Sequence, residues 1–137
     1  LGGQTAPFAP VADRAALDTA MTAIGTPAIL KTARMGYDGK GQARIMAAVD
    51  AAGAWDSIDG HVAVLEGLVN FAAEFSVMLV RGIDGEIRYW DSPHNVHRDG
   101  ILASASLPPP AIVLDQQDTA RAMAAQLADA LDYVGVL

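Results

Sequence analysis

The stretch that most constrains this chain is Gly36-Tyr37-Asp38-Gly39-Lys40-Gly41-Gln42, a glycine-punctuated loop that follows the apolar run Pro27-Ala28-Ile29-Leu30-Lys31. Three glycines in seven residues let the backbone take positive φ and approach a ligand closely. Lys40 adds a positive charge among exposed N–H groups. Local chemistry leaves two readings: a phosphate-binding loop, or the tip of a hairpin. Spacing removes two familiar versions of the first. A Walker-type loop needs Gly, four residues, then Gly-Lys-Ser/Thr; here Gly39-Lys40 is followed by Gly41, and Arg34 stands five before Gly39. The dinucleotide fingerprint needs Gly-x-Gly-x-x-Gly opening a helix, whereas this loop runs Gly-x-x-Gly-x-Gly. What remains is a glycine loop joining two strands, of the kind that folds over a nucleotide triphosphate from above.

Composition narrows the classes further. At 137 residues and 52% hydrophobic content the chain can bury a core, so disorder is not the default. Its net charge of -7, with acidic residues spread along the chain, disfavours nucleic acid and anionic membranes as partners; an anionic ligand requires a locally basic site. With no cysteine there is no disulfide, no thiolate nucleophile and no cysteine zinc site, which fits a reducing, cytoplasmic setting. No apolar run approaches the roughly 20 residues of a membrane span. The start at Leu1-Gly2-Gly3 and the stop at Tyr133-Val134-Gly135-Val136-Leu137, which reads as a strand beginning, predict a piece of a longer protein.

Along the chain, Pro7 and Pro10 predict an extended entry. A helix is expected from about Val11 to Ile24, with Gly25 as its stop. A buried strand over Ala28–Thr32 leads to the loop, a returning strand is read at Ala43–Met46, and a second helix at about Ala47–Trp55. Val62–Leu65 is a strand ending on Glu66-Gly67. Phe75–Val80 is a strand with apolar side chains on both faces, and Asp84-Gly85 makes 74–91 an antiparallel hairpin. Residues 91–100 read as neither helix nor regular hairpin, and Ile101–Ser106 alternates like a half-buried strand. Pro108-Pro109-Pro110 is a stiff connector. The longest helix is expected from about Asp115 to Leu131, capped by Asp115 or Asp118.

Taken together, Ile29-Leu30-Lys31, Gly36 to Gln42, Leu65-Glu66-Gly67, Glu74-Phe75-Ser76-Val77, Asn95-Val96-His97-Arg98-Asp99-Gly100-Ile101-Leu102 and Tyr133-Val134-Gly135-Val136 closely resemble the ATP-grasp region of the N5-carboxyaminoimidazole ribonucleotide synthetases, the carboxylase ATPase subunits of purine biosynthesis. The resemblance covers nearly the whole chain. It implies an α+β ATP-grasp fold of two subdomains, mainly antiparallel sheets with flanking helices, incomplete in this chain. Residues 1–61 would form the small subdomain with the glycine loop, and 62–137 the first part of the large one. It implies a ligase that uses ATP to convert bicarbonate to carboxyphosphate and passes the carboxyl group to the amine of aminoimidazole ribonucleotide. Implied partners are those small molecules, with a homodimer for the intact protein and no nucleic acid or membrane. The implied cofactor is ATP with magnesium, whose ligands would lie outside this chain. The 137-residue piece alone is therefore expected to be inactive.

The resemblance also implies site residues, each with a plainer alternative. Lys31 would contact the ATP phosphates; otherwise it is a lysine with its stem along the surface. Lys40 and the N–H groups of Gly36, Gly39, Gly41 and their neighbours to Gln42 would close over the β- and γ-phosphates. Tyr37 and Asp38 would face the aminoimidazole ribonucleotide, although Tyr37 on sequence alone serves equally as a loop anchor. Glu66, Gly67, Leu68 and Val69 would form the adenine hinge, or Glu66 is a strand-end carboxylate in solvent. Glu74 would accept from the ribose hydroxyls, or is an edge-strand charge. His97 would lie at the nucleotide. His94 and His97, with Asp91 and Asp99 near, raise a metal site as an alternative; the expected reading has no metal ligands here and leaves the catalytic residues unassigned. His94 and Trp90 depart from the pattern of the family. Two other readings stay open: another ATP-grasp carboxylate–amine ligase, or a non-catalytic nucleotide-binding or assembly module.

Overall fold

The computed structural model describes residues 2–34, 36, 40–98 and 100–137. The chain divides into two compact units, residues 4–70 and residues 1–3 with 71–137.

The first unit is a four-stranded antiparallel sheet with helices on one face. Strand β1 (Phe8–Val11) leads into helix α1 (Arg14–Ile24), and β2 (Ala28–Thr32) and β3 (Gln42–Ile45) flank the glycine loop. Helix α2 (Ala51–Ser57) precedes β4 (Ala63–Gly67), and the strands lie in the order β1-β4-β2-β3. Helix α1 begins at Arg14, later than its apolar pattern suggests, because the Asp13 side chain accepts the Ala16 N–H at 2.8 Å and caps it. It ends on Gly25, whose φ of 84° favours a residue without a Cβ. Asp50 accepts the N–H groups of Met46 and Ala47, each at 2.9 Å. That carboxylate turns the chain through a short 3-10 segment, Ala48–Asp50, so α2 starts at Ala51 and not at 47.

The period-2 rule assigns the two faces of this sheet. Val11, Ala28, Leu30, Ile45, Ala63 and Leu65 are buried against Leu17 and Ala20 of α1 and Ala51 and Ala54 of α2. Truncating one such residue, for example Leu30→Ala, typically costs about 2–5 kcal/mol. The alternate residues, Phe8, Pro10, Val64, Glu66, Ile29, Lys31, Gln42 and Arg44, are exposed or half-buried. The helices cover one face and leave the other open. β4 is central here, pairing with both β1 and β2. β4's alternate apolar residues complete the first unit's core, and that unit runs to Asn70.

The second unit holds two three-stranded antiparallel sheets and one long helix. β5 (Glu74–Phe75), β8 (His94–Arg98) and β9 (Ile101–Ser106) form one sheet in the order β5-β8-β9. β6 (Leu79–Arg81), β7 (Ile87–Tyr89) and β10 (Gly135–Val136) form the other, in the order β10-β6-β7. The continuous strand expected over Phe75–Val80 is thus two strands in different sheets, and the hairpin expected over 74–91 shrinks to β6–β7. An apolar run cannot say where a chain changes sheet. Residues 91–100, expected to be irregular, contain β8. Their polar sequence hid a strand that pairs on both sides. β9 is a strand as expected, but all six of its residues are exposed instead of half-buried.

Helix α3 (Ala111–Ala130) starts directly after Pro110, which supplies extended backbone at the cap position with no side-chain hydrogen bond. Neither Asp115 nor Asp118 caps it, because the expected connector already serves as the helix entry. The C-terminal end of α3 is tied to β6 by Arg81. Its guanidinium pairs with Asp129 and Asp132, each at 3.3 Å, and donates to the Tyr133 carbonyl at 3.1 Å. Among the described residues of this unit only Leu79, Val113 and Ala128 are buried apolar side chains. Among the described residues no helix is long and apolar enough to cross a membrane.

Candidate functional site

The open face of the first sheet gathers the residues that the loop pattern singled out. Lys31 on β2 lies opposite Val64 of β4, and Ile29 lies opposite Glu66. Lys31 and Glu66 are therefore diagonal neighbours on one face, at a Cβ separation that long side chains bridge. They do bridge it: Lys31 Nζ stands 2.6 Å from Glu66 Oε2, with the side chains 41% and 33% exposed. A half-exposed pair of this kind contributes little to stability, about 0–1 kcal/mol. What it does is hold an ammonium and a carboxylate at set positions on a face that nothing in the unit's core covers.

On its other edge β2 pairs with β3, which places Gln42 opposite Lys31 and Arg44 opposite Ile29. The glycine loop joins these two strands, and Thr32 closes its neck. The Thr32 N–H donates to the Gly41 carbonyl at 2.7 Å. Gly41 has φ +73°, and a Cβ there would lie 2.5 Å from Thr32 Oγ1. A Cβ on Gly36 would likewise stand 3.6 Å from Thr32 Oγ1 and 3.4 Å from the Lys40 carbonyl. The glycine at 41 is thus a steric requirement of the neck. Lys40 is exposed. Tyr37, Asp38 and Gly39 lie outside the described residues, as do the roles expected for them.

At the opposite end of the same strands, Gly67 lies across from Ala28 and starts the segment expected to be a purine hinge. The Gly67 N–H donates to the Pro7 carbonyl at 2.8 Å, and the Leu68 N–H to the Pro27 carbonyl at 3.1 Å. Those two donors are spent within the protein. Among the described residues the Val69 N–H has no partner, and Val69 is exposed.

In the second unit, Glu74 lies on the edge strand β5 opposite Asn95 of β8. His97, two residues beyond Asn95, turns back onto it: His97 Nδ1 is 2.9 Å from Glu74 Oε2. Between Val96 and His97 the register with β9 slips, so that Val96 faces Ser104 and His97 faces Leu102. This bulge falls where a side chain has to be aimed. Asn95, 8% exposed, donates from Nδ2 to Ser76 Oγ at 2.7 Å. A concavity of about 220 Å³ opens here, lined by Phe71 to Glu74 and His94 to His97. His94 lies opposite Ser106 and His97 opposite Leu102 on β9, and both border the concavity. Among the described residues there is no group of three or more His, Cys, Asp or Glu suited to a metal.

The structure therefore brings Lys31 to Glu66 and Glu74 to His97, each pair by a diagonal across two strands. The sequence by itself assigns no role to Thr32, Arg44 or Asn95. Arg44 was signalled by alternation from Gln42, and Asn95 by its place in the quoted motif. Thr32 carries no signal of its own, because its part depends on the close approach of Gly41.

The sequence model of the ATP-grasp domain family matches residues 1–137. The chain belongs to the ATP-grasp domain family. Its antiparallel sheets and flanking helices are those of that α+β fold. This ATP-grasp chain is 45% identical over 139 residues to the N5-carboxyaminoimidazole ribonucleotide synthase of Brucella melitensis, covering 99% of this chain and 38% of that protein. It is 43% identical to the Pseudomonas aeruginosa protein of the same name, covering 100% of this chain and 37% of the relative. Among solved structures, an N5-carboxyaminoimidazole ribonucleotide synthetase in complex with ADP matches with a TM-score of 0.90 at 32% identity, over 98% of this chain and 36% of that one. The chain spans little more than a third of the length of these relatives.

Proposed function

We propose that this chain is the ATP-binding portion of an ATP-dependent carboxylating ligase of purine biosynthesis. In the reaction, bicarbonate attacks the γ-phosphorus of ATP, giving carboxyphosphate and ADP. The amine of aminoimidazole ribonucleotide then takes the carboxyl group, and phosphate leaves. The observation that carries the reading is the Lys31–Glu66 pair on the open sheet face beside a glycine loop whose neck admits only glycine at 41. Support comes from family membership and from similarity to the Brucella and Pseudomonas synthases.

Lys31 supplies the cation for the phosphates, and its pairing with Glu66 keeps the ammonium in place before ligand arrives. Lys40 and the loop N–H groups of Gly36, Gly41 and Gln42 close over the β- and γ-phosphates, where charge moves during transfer. Val69 offers the free hinge N–H to the purine edge, with Leu68 as apolar cover. Glu74, oriented by His97, accepts from the ribose hydroxyls. Tyr37 and Asp38 face the aminoimidazole ribonucleotide. Positioning and charge neutralisation, not covalent catalysis, are the contribution of this region. Magnesium, bicarbonate and a homodimeric state belong to the proposal for the longer protein in a cytoplasmic setting. The 137-residue chain alone is proposed not to turn over.

Calorimetry of the full-length gene product with ADP and magnesium tests the binding half. The wild type is expected to bind, and Lys31→Ala to bind at least about tenfold more weakly, the loss of one charge-assisted contact. Phosphate release that depends on both bicarbonate and aminoimidazole ribonucleotide tests the chemistry. Release that is indifferent to aminoimidazole ribonucleotide would point to another acceptor and overturn the substrate assignment.

A further inference from the structure

The register of the first sheet places one more cation on the nucleotide face. Residues Phe8, Glu66, Ile29 and Arg44 form one row across β1, β4, β2 and β3, and Pro10, Val64, Lys31 and Gln42 form the next. The Lys31 row adjoins the glycine loop, since Gly41 precedes Gln42 and hydrogen-bonds to Thr32. The Arg44 row adjoins the hinge, since Ala28, next to Ile29, lies opposite Gly67. Two residues of strand separate the rows by about 7 Å. A nucleotide with phosphates at the loop and base at the hinge therefore sets its base by the Arg44 row.

Arg44 is exposed and has no ion-pair partner among the described residues. The Lys31 charge is offset by Glu66, so Arg44 carries the uncompensated positive charge of this face among the described residues. Its neighbour across the pairing is Ile29, a half-buried aliphatic side chain that offers an apolar contact surface. A guanidinium is planar and weakly hydrated, and it stacks on nucleobases.

We propose that Arg44 is a further nucleotide-contacting residue, its guanidinium lying on the purine instead of the phosphates. The inference rests on the ATP-binding reading above. It makes the base, and not only the polyphosphate, a source of affinity on β3.

The test is binding of AMP, ADP and ATP to the full-length protein and to its Arg44→Ala and Arg44→Lys variants, with folding checked by circular dichroism. Arg44 is exposed on an edge strand, so both variants are expected to fold. Contact with the base predicts the same loss, about tenfold, for all three nucleotides. Arg44→Lys, which keeps the charge but loses the plane, should lose most of it as well. A loss that grows from AMP to ATP and is restored by lysine would overturn the base contact in favour of phosphate. Wild-type affinity in Arg44→Ala would overturn it too, leaving the residue an edge-strand charge against strand pairing. If the wild type itself binds none of the three, the nucleotide reading fails and this inference falls with it.

Discussion

Gly41 is the residue at which the loop neck is most exposed to test. Its φ is +73°, and an added Cβ would sit 2.5 Å from Thr32 Oγ1 and 3.5 Å from Gly36 Cα. Gly41→Ala thus meets two separable penalties. Left-handed backbone for a residue with a Cβ costs about 1–2 kcal/mol. The contact with Oγ1 forces the stiff Thr32 side chain off its rotamer, adding about 1 kcal/mol. The expected loss is about 2–3 kcal/mol by urea unfolding. Thr32 Oγ1 is buried with no hydrogen-bond partner among the described residues, so Thr32→Ala removes the obstacle without stranding a bonded group. In that background Gly41→Ala should cost only the backbone share, about 1–2 kcal/mol. Because the Gly41 carbonyl accepts the Thr32 N–H, ADP affinity should fall with stability in the single variant and recover in part in the double one. An equal cost in both backgrounds, or a single-variant cost under about 0.5 kcal/mol, would refute the steric account of the neck.

Two further outcomes follow from side-chain geometry. Glu74→Gln should weaken ADP about tenfold while leaving the weaker binding of 2′,3′-dideoxy-ADP nearly unchanged, because the lost acceptor serves hydroxyls the dideoxy analogue lacks; calorimetry with both ligands decides it, and equal losses would remove Glu74 from the ribose. Arg81→Ala should cost about 1–2 kcal/mol and raise amide exchange near Asp129 to Tyr133, since Arg81 ties the C-terminal end of α3 to β6; unchanged protection there would show the ties to be surface ornament.

Local signals served the first unit well. The run Ala28–Thr32 is β2 to the residue, since a buried central strand and its glycine loop are written in adjacent residues. Gly25 stopped α1 as expected. The second unit resisted the same treatment. Leu79 and Phe75 sit in one apolar run but in different sheets, because strand partners are chosen by distant residues. β8 carries His, Asn and Arg, and its strand state comes from two neighbours instead of its own propensity. Ile101 to Ser106 alternates, yet every residue is exposed, for alternation states which residues share a face and not what covers that face.

The candidate site divides in the same way. The resemblance to the ATP-grasp family is what pointed to Lys31, Glu66, Glu74, His97 and Gly36 to Gln42 as site residues, because the motifs that carry it are short stretches of contiguous sequence. Only the tertiary structure decided that Lys31 reaches Glu66 and His97 reaches Glu74. A diagonal contact depends on register, and register is set by which alternate residues are buried on the far face. The same register put Arg44 beside Ile29 and Thr32 under Gly41. Those residues have no motif to announce them, since what they do is fixed by neighbours from other strands.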